Sequence, residues 1–131
     1  MKRFYLFIFT LFFSNFLHAQ AERIIYENFK PMDDEIKFDL AGEIEIKYWN
    51  KNQIRVLTVI NTENCDLETL NALVDSGRYE LKFSSKKGKT TGALPKVNDR
   101  NEYIGDNPII ENFKFEIRLP QGIVYKQEDH P

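Results

Sequence analysis

Three stretches of this chain alternate apolar and polar residues with a period of two, and that pattern decides the class of fold. Ile36-Lys37-Phe38-Asp39-Leu40, Ile44-Glu45-Ile46-Lys47-Tyr48 and Phe113-Lys114-Phe115-Glu116-Ile117-Arg118-Leu119 each place their apolar side chains on one side of an extended backbone. Such a segment is a half-buried strand, with one face on a core and the other in water. By this phase Tyr48 is expected to face the core with Ile44 and Ile46. Residues 54–60 (IRVLTVI) are β-branched and partly continuous, which predicts the most buried strand. Further strands are expected at 24–29, 79–83 and 123–125. The starts at 36, 44 and 54 follow at a spacing that suits consecutive antiparallel strands or short solenoid rungs.

The period changes once. Leu67, Leu70, Leu73 and Val74 fall on one face of a helix, which Asn64 or Asp66 can cap. Gly77 sits where a left-handed residue ends such a helix. Residues 84–108 show little apolar periodicity and hold Gly88, Gly92, Pro95, Gly105 and Pro108. They are expected to form a long loop, a kind of segment that is commonly functional or disordered. The expected architecture is mainly β with one amphipathic helix, as a small β-sandwich or twisted sheet. A short β-solenoid is the alternative.

The N-terminus reads as a secretory leader. Lys2 and Arg3 precede FYLFIFTLFF, Ser14 and Asn15 break the run, and Leu17-His18-Ala19 offers a cleavage site after Ala19. The apolar run is shorter than the roughly 20 residues a bilayer span takes. The expected organisation is a signal peptide at 1–19, a single β-rich domain at 20–125 and a polar tail at 126–131. The chain stops soon after the apolar triplet Ile123-Val124-Tyr125, which leaves a C-terminal truncation open. The expected location is the periplasm or cell surface, with no transmembrane span once the leader is removed. No Cys follows the apolar run to accept a lipid.

Composition narrows the chemistry. The 131 residues hold 18 Lys+Arg against 20 Asp+Glu, a net charge of -2 that excludes a strongly basic nucleic-acid binder. One Cys, Cys65, cannot form an internal disulfide. Of two His, His18 leaves with the leader and His130 lies in the tail, so no His- or Cys-based zinc site forms within one chain. A Ser or Cys nucleophile lacks an ordered base. Gly88-Lys89-Thr90 spells the end of a phosphate-binding loop, but Phe83 stands where the first Gly belongs and no helix is expected to follow. The stretch from Asp99 through Gly105 to Ile110 departs from an EF-hand loop at its Gly and at its last ligand. Asp33-Asp34-Glu35, the densest acidic cluster, reads as a solvated turn, with a carboxylate hydrolase as the remote alternative. Cys65 reads as a half-buried small hydrophobe. The chain is therefore expected to be no enzyme and to carry no cofactor or metal.

Candidate contact residues remain. Trp49, at the end of an alternating segment, is either a rim residue of the core or an exposed anchor. Lys86, Lys87 and Lys89 form a basic run that either guards a sheet edge or meets an anionic surface. Arg100 and Tyr103 lie in the expected loop and could touch a partner.

The run Gly42-Glu-Ile44-Glu-Ile46-Lys-Tyr-Trp49, followed by Ile54-Arg-Val56, resembles the repeating unit of secreted Bacteroidota proteins, the DUF4097 and auto-transporter adhesin head-like families. Their strand pairs often read G-x-I-x-I-x-x-W, then Asn and a β-branched strand. The leader ending Ala19-Gln20 also looks like Bacteroidota export sequences. The resemblance implies a β-rich, secreted or surface protein without catalytic residues. The expected function is an exported, non-catalytic, adhesin-like binding module whose partner is an envelope protein or glycan. A self-assembling structural envelope protein is the alternative.

Overall fold

The computed structural model describes residues 20–127; the expected leader with its expected cleavage site after Ala19, and His130, lie outside them. In chain order the elements are β1 (Gln20–Phe29), β2 (Glu35–Asp39), β3 (Glu43–Trp49), β4 (Ile54–Glu63), α1 (Leu67–Asp75), β5 (Lys82–Lys86), β6 (Lys89–Ala93), α2 (Pro95–Asp99), β7 (Tyr103–Ile104), β8 (Asn107–Pro108), β9 (Ile110–Pro120) and β10 (Val124–Tyr125). Among the described residues they build one four-stranded sheet of order β1-β4-β9-β3, a second of order β10-β2-β6-β5, and a small β7-β8 hairpin.

Alternation explains how the sheets meet. Ile54, Val56, Thr58 and Ile60 of β4, and Phe113, Phe115, Ile117 and Leu119 of β9, turn one face inward and are buried. From the second sheet Ile36 and Phe38 join the same core. Phe83 of β5 bridges the sheets, edge-on to Phe29 of β1 at 4.5 Å and to Phe38 of β2 at 6.0 Å. Each fully buried aliphatic side chain contributes about 1.5–3 kcal/mol, so this shared interior holds the mainly β architecture together. Helix α1 closes one end of it with Leu70. Asp66 caps the helix by accepting from the Thr69 amide at 2.8 Å, and Gly77 leaves it at φ +84°.

The strands expected to pair in sequence do not. β2 lies in the second sheet, and β9 inserts between β3 and β4, parallel to the first and antiparallel to the second. The link 50–53 therefore steps across the end of β9, a gap of about 10 Å between flanking strands. Trp49 braces that step: its indole N–H donates to the Gln53 carbonyl at 2.8 Å. A solenoid is excluded for the described residues, because its rungs would stack in chain order.

The long loop expected at 84–108 is also corrected. Ser84 and Ser85 extend β5, residues 87–88 make a tight turn into β6, and 95–108 hold α2 and the β7-β8 hairpin. Lys87 and Gly88 both have positive φ, 54° and 75°, as a two-residue hairpin turn requires. Thr90 and Gly92 point inward from β6, and such small polar residues carry no visible hydrophobic period. Strand β5 begins at Lys82, so Tyr79 and Leu81 are buried without belonging to a strand. Tyr48 keeps the phase of Ile44 and Ile46 but is 49% exposed, because the core ends before it; its hydroxyl donates to the Ile123 carbonyl at 3.0 Å.

Candidate functional site

The outward phase of the first sheet is unusually apolar for a face that no described residue covers. Ile24 and Tyr26 of β1 are 51% and 64% exposed. They stand opposite Val59 and Leu57 of β4 in the ladder, so the four side chains form one strip across two strands. Strand pairs of this kind lie within contact distance. Beyond the strip, Glu43, Glu45 and Lys47 of β3 and Lys114, Glu116 and Arg118 of β9 make a charged margin. Two clefts follow this seam. One, of about 320 Å³, is lined by Glu43, Glu45, Leu57, Val59, Lys114, Phe115 and Glu116. The other, of about 230 Å³, is lined by Tyr26, Arg55, Leu57, Glu116 and Arg118.

Register gathers cations at one end of this face. Lys47, Arg118 and Arg55 are ladder neighbours across β3, β9 and β4. Like charges placed directly opposite destabilise a sheet. Glu116 offsets part of this, at 3.3 Å from Lys47 and 3.7 Å from Arg118. Trp49 offsets more: the charged groups of Arg55, Lys51 and Arg118 lie 5.0, 5.3 and 5.8 Å from its ring centroid.

Of the sequence-derived candidates, Trp49 alone belongs to this face, half-buried as a brace and a cation platform. Lys86, Lys87 and Lys89 crowd the tip of the β5-β6 hairpin, where Lys89 meets Glu35 at 3.5 Å. Glu35 pairs with Val124, so the tip shares an end of the sandwich with Trp49. Arg100 and Tyr103 are at the opposite end, before β9 begins. Arg100 lies 3.6 Å from Glu102, and Tyr103 is exposed on the β7-β8 hairpin. The six residues therefore do not converge. Tyr26, Arg55, Leu57 and Arg118 were missed, although apolar Leu57 and Val59 at the outward phase of β4 were a visible signal.

The densest polar cluster in the interior is structural. Arg78, 3% exposed, donates from Nε to Glu111 Oε2 at 2.9 Å and from Nη2 to Oε1 at 2.6 Å. Its remaining donors reach the carbonyls of Lys96 at 3.2 Å and Arg100 at 2.9 Å, which ties the α2 segment to the sheet. Tyr79 donates its hydroxyl to Glu111 at 2.5 Å. The hydrogen bonds to Glu111 push the Arg78 pKa up. Burial, then Glu111, pushes the Tyr79 phenol up, so it stays protonated.

Two further titratable groups, Asp33 and Cys65, are shifted by their surroundings. Asp33 accepts from Ser85 and Thr90, both at 2.6 Å, and these bonds hold its carboxyl below the usual range. That is the reverse of what a general acid needs. Cys65 is buried, and burial raises its thiol pKa despite its place before α1.

Glu27, on the inner phase of β1, is the one strained carboxylate. Burial raises its pKa, the Leu81 amide and Lys82 pull it down, and Glu80 pushes it up; Oε2 has no hydrogen-bond partner among the described residues. A carboxyl with a raised folded pKa contributes stability below its unfolded pKa, and that contribution is lost as pH rises through the folded pKa. Glu27→Gln is therefore expected to stabilise the protein at pH 7, by no more than a few tenths of a kcal/mol at this half-exposed position, and to lose that advantage near pH 4. Urea denaturation at the two pH values checks this; an advantage that grows in acid would refute it.

No family model matches this chain, and no curated protein matches it. Among solved structures it is similar to one described as a "putative cell adhesion protein from Clostridium sporogenes", with a TM-score of 0.43 and 13% identity. That alignment covers 82% of this chain and 46% of the other, so this chain spans less than half the length of that protein. A likeness of this degree assigns neither mechanism nor ligand. No helix among the described residues is long and apolar enough to cross a membrane.

Proposed function

We propose that this protein is an exported, non-catalytic binding module of the bacterial cell envelope, adhesin-like in the sense of the DUF4097 and auto-transporter adhesin head-like proteins. It grips an envelope protein or glycan with the outward face of the β1-β4-β9-β3 sheet. The observation that carries this reading is the outward apolar strip between charged margins, exposed at Ile24 and Tyr26 and half-buried at Leu57 and Val59. Contiguous apolar surface rimmed by polar groups marks an interaction site. The leader at 1–19 supports export.

Beads coated with the protein should adhere to isolated cell envelopes. The double variant Tyr26→Asp, Leu57→Lys is expected to lower adhesion at least about tenfold, since charge in the strip must be desolvated. A hairpin variant with Lys86, Lys87 and Lys89 changed to Gln is expected to adhere normally. Equal adhesion by the face variant and the wild type would refute the reading.

Self-assembly through sheet edges is the competing use of this fold. Among the described residues β1 and β3 are each paired on one side only. Glu43, Glu45 and Lys47 along β3 resist edge-to-edge pairing. Sedimentation is expected to show a monomer at all accessible concentrations, and growth of the particle with concentration would favour the structural role instead.

A further inference from the structure

We propose that the cleft formed by Tyr26, Leu57, Arg55 and Arg118 binds a carboxylate-bearing sugar, a uronic-acid unit of an acidic polysaccharide. The proposal deepens the binding reading above and rests on it.

Charge comes first. Arg55 donates its Nε to Asn28 at 3.2 Å, and its two Nη groups make no hydrogen bond among the described residues. No carboxylate lies within 4 Å of Arg55 or Lys51 among those residues, whereas Lys47 and Arg118 share Glu116. The row therefore keeps a positive excess on a chain whose net charge is -2. Arg55 and Arg118 are direct ladder partners, and two adjacent guanidinium forks match the two oxygens of one carboxylate. A like-charged cross-strand pair weakens the sheet by itself; a bound anion removes that repulsion.

Shape and aromatic placement favour a sugar over an acidic peptide. The cleft of about 230 Å³ is below the roughly 300–1,000 Å³ of sites for drug-sized ligands. It suits one ring of a longer chain. Tyr26, 64% exposed, offers a flat apolar wall beside Leu57, against which the C–H face of a pyranose can pack. The ring's carboxylate then reaches Arg55 and Arg118, and Glu116 on the same wall accepts from sugar hydroxyls.

Isothermal titration with tetragalacturonic acid tests this, with its methyl ester and poly-glutamate as comparisons. Saturable binding of the acid is expected. The ester, Arg55→Gln and Tyr26→Ala should each weaken it at least about tenfold. Arg55→Lys should retain part of it, and rising salt should weaken it further. Both substituted side chains sit on the solvent face, and circular dichroism confirms that each variant is folded. No saturable binding, equal binding of the ester, or equally tight binding of poly-glutamate would overturn the proposal. If envelope adhesion still depends on Tyr26 and Leu57 while the acid fails to bind, the module reading stands and the sugar assignment falls. If adhesion also ignores the face, both fall.

Discussion

Glu111→Ala is expected to cost about 3–5 kcal/mol of folding stability, measured by urea denaturation at pH 7. The reason lies in what the substitution strands. Arg78 is 3% exposed and loses both of its short carboxylate bonds. The remaining carboxylate, Glu102, is 3.7 Å away and nearer the surface. Tyr79 loses its hydroxyl acceptor in the same step. A buried charge without a partner costs far more than the pair contributes when intact. The double substitution Arg78→Met, Glu111→Leu should therefore recover most of the loss. A Glu111→Ala cost under about 1 kcal/mol would mean that water reaches the cluster, and the account of how α2 is anchored would fail.

What could be read from the chain was what depends on near neighbours. The burial of Ile36 and Phe38, the inward turn of Phe113 to Leu119, and the capping of α1 by Asp66 before Gly77 all follow from spacings of two to four residues. The mainly β class followed from them. What could not be read depends on contacts made across the chain. Nothing in 42–56 announces that β9 will enter between β3 and β4, because each strand's alternation is satisfied equally by any neighbour. The inward phase of residues 82–93 is built from Phe83, Thr90 and Gly92, so the hydrophobic signal vanished where strands in fact exist. Arg78 is a similar case: it sits in the turn after α1, its partner Glu111 lies 33 residues away on β9, and an Arg beside a helix end ordinarily reads as solvated.

The proposed binding face is half legible in the sequence. Residues 54–60 were read as the most buried strand because apolar residues occupy both phases. The inward set is buried as expected, but Leu57 and Val59 face outward into the clefts. A continuous apolar run signals cover on both faces only if a second layer exists there, and the described residues supply none. Trp49 was singled out for its type, yet the residues that make its surroundings positive, Arg55 and Arg118, came together only through register.

Gly42→Ala should lower stability by about 2–4 kcal/mol and loosen the β3 margin of the proposed binding face. Gly42 heads the G-x-I-x-I-x-x-W run and has φ +142°, where side chains are strained. A methyl there would stand 2.4 Å from the Phe113 carbonyl oxygen and 3.1 Å from its carbon. Both are backbone atoms of the strand that β3 must join, so neither can rotate away. Relief requires β3 to withdraw from β9 where Glu43 meets Lys114, and Lys47 and Trp49 ride on that strand. Gly88→Ala is the matching control, with positive φ of 75° but no atom within 4 Å of the added methyl. Its cost should be only the conformational one, about 1–2 kcal/mol. Urea denaturation of the two variants separates clash from conformation, and near-equal losses would refute the close approach of β3 to β9. The Gly42 variant should also bind the acidic tetrasaccharide more weakly at temperatures where it is folded, whereas Gly88→Ala should bind as the wild type does.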